Sequence, residues 1–205
     1  MRHSAAIQPN HALRALAGGL CLALASLPAF AHTADIGAEG SSMVAGFLHP
    51  ILGPDHLLAM LAVGIWGTQI GGAAVWALPV AFPLIMACGA VLGIAGVPVP
   101  AVEYGIAGSV VVLGGLIALV FRPTVAIALA VVSVFALFHG HAHGAELPDN
   151  ANAAGFTLGF VLGTGLIHAA GIGIALLLER LPKGPAVIRV LGGPIALCGV
   201  YFLIG

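Results

Sequence analysis

Charged side chains are scarce in this sequence, and their scarcity excludes most classes of soluble protein. Lys and Arg number six and Asp and Glu seven in 205 residues, which is 6% of the chain, whereas soluble domains carry about 25%. The basic residues form no cluster or stripe, which argues against nucleic acid as a partner. Hydrophobic residues make up 60% of the chain. The composition predicts a protein whose main partner is a lipid bilayer.

Paired cysteines and a phosphate-binding loop are also missing. Cys21, Cys88 and Cys198 are widely separated and lie in apolar runs, without the spacing of a zinc site or an even disulfide framework. We interpret them as small hydrophobic residues. No Gly-x-x-x-x-Gly-Lys segment occurs in the chain, so a nucleotide site of that type is excluded.

Long apolar stretches dominate the rest of the sequence. Crossing a bilayer takes roughly 20 apolar residues, and Gly, Pro and the few charges divide residues 32–205 into six such stretches. The stretches cover residues 42–66, 72–95, 102–121, 124–143, 153–178 and 186–204. We predict an all-α, polytopic membrane bundle with six transmembrane helices in one domain, and no second, soluble domain.

Residues 1–31 are typical of a secretory signal peptide. Arg2 and Arg14 precede an apolar run, and residues 29–31 form an Ala-x-Ala cleavage site. Cleavage would make His32 the first residue of the mature chain. The alternative is an uncleaved first helix, because the apolar run is almost long enough to span the membrane.

The few basic residues predict the orientation of the bundle. With the mature N-terminus outside, Arg122, Arg180, Lys183 and Arg189 all lie on or beside connections that face the cytoplasm, as the positive-inside rule requires. The outward connections carry no Lys or Arg. We therefore predict a multi-pass protein of the bacterial inner membrane with both mature termini in the periplasm.

Histidine is the exception to the shortage of polar residues, since nine histidines outnumber all Lys and Arg. The first cluster, residues 49–56, reads His-Pro-Ile-Leu-Gly-Pro-Asp-His inside the first span. Pro50 and Pro54 cannot both lie inside a regular helix, because each removes an amide donor and clashes with the preceding turn. We predict a first span broken at this double-proline motif, with a helix through Leu48, an irregular stretch, and a second helix that starts near Gly53.

This break would bring His49, Asp55 and His56 to one polar pocket. Irregular backbone at membrane depth is tolerated where it lines a cavity, and transporters place ion sites at such breaks. The alternative is a packed core in which the histidines satisfy each other's hydrogen bonds. Ionisable groups inside a membrane are costly and usually functional, which favours the pocket.

The second cluster, residues 138–146, reads Phe-His-Gly-His-Ala-His-Gly-Ala-Glu at the outer end of the fourth span. If the helix continues this far, His139, His143 and Glu146 share one face at i, i+4 and i+7. His141 then points to the other side, as an accessory ligand at best. The alternative is a solvated histidine-rich loop, reached if the glycines end the helix.

The predicted topology puts both clusters in the outer half of the membrane, where they can meet. Two or three imidazoles with one or two carboxylates suit a divalent transition metal such as Ni²⁺, Zn²⁺ or Co²⁺. Residue types alone do not select among these ions.

At these two clusters the chain resembles the HupE/UreJ family of membrane proteins, which occur beside hydrogenase and urease genes. The family motif His-Pro-x-x-Gly-x-Asp-His is complete at residues 49–56, and the motif Phe-His-Gly-x-Ala-His-Gly-x-Glu is complete at residues 138–146. The resemblance implies Ni²⁺ permeation in support of hydrogenase or urease maturation, with the polar residues of both motifs as the metal path.

Two further histidines and a row of glycines remain. His168 lies farther along the fifth span and is either the next residue on a metal path or a packing residue. His32 could capture metal at the mature terminus. Gly155, Gly159 and Gly163, at four-residue spacing, predict close helix packing.

The sequence leaves other functions open. A metal-binding accessory protein or sensor would use the same ligands without transport. An intramembrane zinc hydrolase would use Asp55 or Glu146 as a base, and paired histidines could also hold haem. We expect a metal permease and no enzymatic activity. The sequence contains no feature that sets the oligomeric state.

Overall fold

The computed structural model describes residues 42–147 and 152–205, and all regular structure in these two ranges is α-helical. In chain order the helices are α1 (Ser42–Leu52), α2 (Pro54–Ile70), α3 (Ala74–Ile94), α4 (Val102–Ala118), α5 (Val125–Ala145), α6 (Ala153–Glu179) and α7 (Gly184–Ile204). The predicted signal segment and His32 lie outside the described residues.

Each predicted apolar stretch is helical, the first as the pair α1 and α2. Helices satisfy every interior backbone group internally, as a bilayer demands. Helices α3, α5, α6 and α7 are long and apolar enough to cross a membrane, and the pair α1–α2 makes a fifth crossing if it counts as one span. Helix α4 has 17 residues, fewer than the roughly 20 of a straight crossing. Multiple membrane spans are therefore supported, while six spans stay a prediction.

The first span is broken at one residue, Gly53, where α1 and α2 meet at 77°. Gly53 has extended backbone angles (φ −81°, ψ 109°) and Pro54 follows as the first residue of α2, because a residue before proline is disfavoured in the helical region. The predicted end at Leu48 is wrong, since α1 continues to Leu52 with Pro50 inside it. Pro50 costs α1 one amide donor without ending the helix.

Helix α2 is the centre of the bundle. It packs against α1, α3, α4, α6 and α7, and 13 of its 17 residues are buried. Helices at the periphery instead expose apolar side chains, such as Trp76, Val80 and Leu84 on α3, whose spacing of four residues makes one lipid-facing stripe. The buried residues of α2, by contrast, extend from Pro54 to Gln69.

Helix α5 packs closely on α3 through the glycines of the second histidine cluster. A Cβ at Gly140 would overlap the carbonyl of Met86, and a Cβ at Gly144 would overlap the carbonyl of Ala90. Small residues let helix backbones approach in this way in membranes. The glycines therefore dock α5 on α3 and do not end the helix, which continues to Ala145.

A second close pair joins α1 to α6. A Cβ at Gly159 would overlap the carbonyl of Met43, and a Cβ at Gly163 would overlap the carbonyl of Phe47. The prediction that the glycine row of the fifth span serves packing is confirmed at these two positions.

The basic residues gather at the end of the bundle away from the histidine clusters. A cavity of about 250 Å³ at this end is lined by Gln69 of α2 and by Arg122, Glu179 and Arg189, among others. Arg180 and Lys183 lie in the adjoining turn between α6 and α7. The positive charges and the histidine clusters thus occupy opposite ends, as the sequence predicts.

Candidate metal centre

The start of α2 holds one half of the centre. Oδ1 of Asp55 lies 2.7 Å from the backbone nitrogen of His56 and 2.7 Å from Nδ1 of the same residue. Because an ionised carboxylate can only accept hydrogen bonds, the Nδ1–H group of His56 donates a hydrogen bond to Asp55. When the ring is neutral, its lone pair is therefore on Nε2, and this atom is buried with no hydrogen-bond partner among the described residues. Asp55 thereby orients His56 for a ligand.

The end of α5 holds the other half. His139 and His143 are buried within the helix, and Glu146 is its C-cap residue, so the predicted row on one face is confirmed. His141 faces away, with Nε2 2.7 Å from the carbonyl oxygen of Val97 in the α3–α4 loop. Histidines and glycines alternate in this motif because they lie on neighbouring faces of α5. His139 and His143 lie on the face toward the centre, and Gly140 and Gly144 lie on the face that packs on α3.

Four imidazole rings from the two clusters meet in a continuous chain. The ring centres of His49 and His143 are 4.5 Å apart, those of His143 and His56 are 4.6 Å apart, and those of His56 and His139 are 4.6 Å apart. The two sequence motifs, separated by more than 80 residues, therefore form one site.

Three side chains of this site can share a single ion. One ligand atom from each of His49, His143 and Glu146 lies within 4.8 Å of the others, and Nε2 of His49 is 3.9 Å from Oε2 of Glu146. An ion about 2.0–2.2 Å from each ligand atom fits between atoms at this separation after small adjustments. These three side chains, hereafter the triad, combine two nitrogens and a carboxylate, a set suited to borderline divalent metals.

Exposure falls steadily from one end of the site to the other. The side chains of Glu146 and His49 are 38% and 19% exposed, whereas His143 and His139 are 3% and 0% exposed. An ion can therefore reach the triad from outside the bundle, while His56 and His139 lie deeper.

Several buried nitrogen atoms at the centre have no partner. Within the described part of the chain, both ring nitrogens of His143 and Nδ1 of His139 are buried without a hydrogen bond, like Nε2 of His56. Leaving one such group unpaired costs about 1–3 kcal/mol. Each of these rings therefore has a ring nitrogen that could bind a ligand.

Aromatic side chains enclose the centre. Phe160 of α6 lies against His143 with ring centres 4.0 Å apart, and Phe156 packs one turn earlier beside His49. Phe82 of α3 separates His139 from His168, at 5.6 Å and 5.3 Å between ring centres. These rings surround the imidazoles with apolar groups, and an apolar environment strengthens any electrostatic interaction between the site and an ion.

His168 lies beyond Phe82 in the interior of the bundle. It is 1% exposed, and both its ring nitrogens lack hydrogen-bond partners among the residues described. Thr164, one helical turn earlier on α6, also has a buried hydroxyl without a partner. The two side chains form a second polar position, separate from the triad.

The structure brings together the six principal site residues of the sequence analysis: His49, Asp55, His56, His139, His143 and Glu146. It places His141 on the opposite face and His168 deeper in the bundle. Of the cysteines, Cys88 is exposed and Cys198 is buried.

Sequence reasoning missed several side chains around the centre. Ser109 contacts His139, while Phe82, Phe160 and Thr164 line the interior. Ser109 is a single polar residue in an otherwise apolar stretch of α4, and that isolation was the one signal available. The aromatic residues carried no signal, because phenylalanine is common in membrane helices.

The clusters and the helices around them are similar to known proteins over nearly the whole chain. The family model described as HupE / UreJ protein matches residues 20–202. "Protein HupE" of Rhizobium leguminosarum bv. viciae is 47% identical over 185 residues, which cover 90% of this chain and 95% of that relative. No solved structure matches the chain. With a family match of this extent, and with several apolar helices able to cross a membrane, the chain belongs to the HupE / UreJ family of multi-pass membrane proteins.

Proposed function

We propose that this protein binds a divalent transition metal, Ni²⁺, and carries it into the cytoplasm for the maturation of hydrogenase or urease. The main observation in support is that His49, His143 and Glu146 converge at the exposed end of a buried chain of imidazoles. The ligand chemistry supports a borderline divalent ion. The choice of nickel over zinc or cobalt rests on the family.

The polar groups of the interior suggest the route of the ion. The triad captures the ion at the exposed end, and His56 and His139 accept it next. Phe82 then separates these rings from His168 and Thr164. The cavity lined by Gln69 lies at the C-terminal end of α2, away from the triad.

The charge distribution supports inward transport across the inner membrane of a bacterial cell. The basic residues lie at the end of the bundle opposite the triad, and basic connections face the cytoplasm in most membrane proteins. The triad would then open to the periplasm. A membrane potential contributes about 2.3 kcal/mol per elementary charge per 100 mV, so a divalent ion gains about 4.6 kcal/mol on moving inward.

We favour transport over hydrolysis because the cavity described beside His143 is small. The cavity next to His143 has a volume of about 20 Å³ and is lined mainly by apolar side chains of α3 and α6. A cavity of this size holds about one water molecule. An intramembrane zinc hydrolase would need room for an organic substrate at the same position.

Radioactive nickel accumulation in cells tests the proposal. Cells that produce the wild-type protein should accumulate more ⁶³Ni than cells with an empty vector, and excess unlabelled nickel should abolish the difference. Equal accumulation in the two strains would contradict transport. If the purified protein nevertheless binds nickel, the accessory or sensor function takes its place.

Replacing His168 separates binding from transport. We expect the His168→Leu variant, which keeps an apolar side chain of similar size, to bind nickel at the triad with wild-type affinity. Its nickel uptake should fall about tenfold or more, since each 1.4 kcal/mol added to a barrier slows passage tenfold. Calorimetry on purified protein and ⁶³Ni uptake measure the two quantities. Wild-type uptake by a correctly inserted variant would remove His168 from the route.

A further inference from the structure

Ser109 makes the one hydrogen bond of the His139 ring within the described residues. Its hydroxyl oxygen lies 3.0 Å from Nε2 of His139, and both residues are fully buried. The other ring nitrogen, Nδ1, has no partner. The direction of this hydrogen bond therefore decides which nitrogen of His139 carries the proton.

The hydroxyl proton of Ser109 already takes part in another hydrogen bond. Its oxygen lies 2.6 Å from the backbone carbonyl oxygen of Ile106, one turn earlier on α4, and a carbonyl oxygen can only accept. A serine hydroxyl has a single proton to donate. Its oxygen must then accept from His139, so the proton of the neutral ring is on Nε2 and the lone pair is on Nδ1.

We propose that Ser109 is a positioning residue that holds His139 in the Nε2–H tautomer and so presents Nδ1 to the metal. This inference rests on the proposed metal-binding function. Ser109 does for His139 what Asp55 does for His56, with the opposite result. His56 offers Nε2 and His139 offers Nδ1, on rings whose centres are 4.6 Å apart.

Asp55 and Ser109, the two groups that orient the histidines, also differ in charge, and charge affects how tightly the centre holds an ion. Asp55 contributes a negative charge to the centre, whereas Ser109 contributes none. A hydrogen-bond partner that fixes the tautomer and orientation of a metal-binding histidine typically contributes 10–100-fold to metal affinity. The neutral partner fixes the tautomer of His139 without adding charge around a divalent ion that must later leave.

The Ser109→Ala variant tests the proposal through two measurements. Nitrogen-15 NMR of histidine-labelled, metal-free protein reports which ring nitrogen of His139 is protonated. We expect the Nε2–H form in the wild type and a mixture of both tautomers in Ser109→Ala. Calorimetry should show an approximately tenfold rise in the Kd for the Ni²⁺ that His56 and His139 hold beyond the triad. The control is Ser133→Ala on α5, about 9 Å along the helix from His139 at 1.5 Å per residue, which should change neither result.

A double-mutant cycle shows whether Ser109 acts through His139. In the His139→Ala background, Ser109→Ala should cause no further loss of nickel affinity, whereas a merely structural role would still lower it. An Nδ1–H tautomer in the wild type would overturn the proposal without any need for a variant. Wild-type affinity in Ser109→Ala overturns this inference alone. A wild-type protein that binds no metal overturns the proposed function as well.

Discussion

Cells that produce the His143→Ala variant should accumulate nickel no faster than cells with an empty vector. His143 is the ring that joins the two parts of the centre, since it lies 4.5 Å from His49 and 4.6 Å from His56 between ring centres. Its removal takes one ligand from the triad and breaks the chain of imidazoles. The Kd of the purified variant for Ni²⁺ should rise by about 100-fold. Loss of a hydrogen-bond partner of a metal ligand lowers metal affinity by up to about 100-fold, and loss of the ligand itself should have at least this effect.

His141→Ala is the matched control for this prediction. His141 is two residues away on the same helix, but its ring bonds to the carbonyl of Val97 on the opposite face. This variant should keep the nickel affinity and uptake of the wild type. Equal losses in the two variants would mean that α5 tolerates no histidine replacement, and equal retention would exclude His143 as a ligand.

The Gly140→Ala variant should lose much of its folded stability. A Cβ at this position would overlap the carbonyl group of Met86, so α5 and α3 must move apart. Overpacking of this kind costs about 1–3 kcal/mol, and a cost near the upper end is expected because backbone atoms cannot turn aside. The midpoint of thermal unfolding in detergent, followed by size-exclusion chromatography after heating, measures the effect.

Gly165→Ala on α6 is the comparison, because a Cβ there would meet nothing within 4 Å. Its unfolding midpoint should equal or exceed that of the wild type, since alanine is the better helix former. If Gly140→Ala unfolds at the same temperature as Gly165→Ala, the close packing of α5 on α3 is wrong.

Much of the fold could be predicted because apolar length and the scarcity of charge determine where membrane helices lie. The break at Gly53 in the first span could be predicted from Pro54 alone, since proline constrains the backbone of the residue before it. The continuation of α1 through Pro50 could not, because the sequence does not show that packing on α6 can offset the lost hydrogen bond and the clash with the preceding turn. The glycines of the second cluster had two readings in sequence, and only the position of α3 distinguishes a packing glycine from one that ends a helix.

The site residues could be predicted as a set, but their individual roles could not. Spacing along a helix places His139, His143 and Glu146 on one face whatever their partners. The pairing of Asp55 with His56, and of Ser109 with His139, depends on rotamers and on the approach of α4. Sequence spacing contains no information on either of these.

The side chains of the candidate triad come from two closely packed helix pairs, α5 on α3 and α1 on α6. The close backbone neighbours of α5 are α3 and α4, and α5 meets α1 and α2 through the rings of His139 and His143. Any displacement of one helix pair against the other therefore changes the distance from His49 to Glu146 while the spacing from His143 to Glu146 stays fixed by their helix. A pair of spin labels on α1 and α5 would thus measure the change in distance between the two helices that hold the triad. A pair of labels within α5 would serve as the control, because its distance should stay constant.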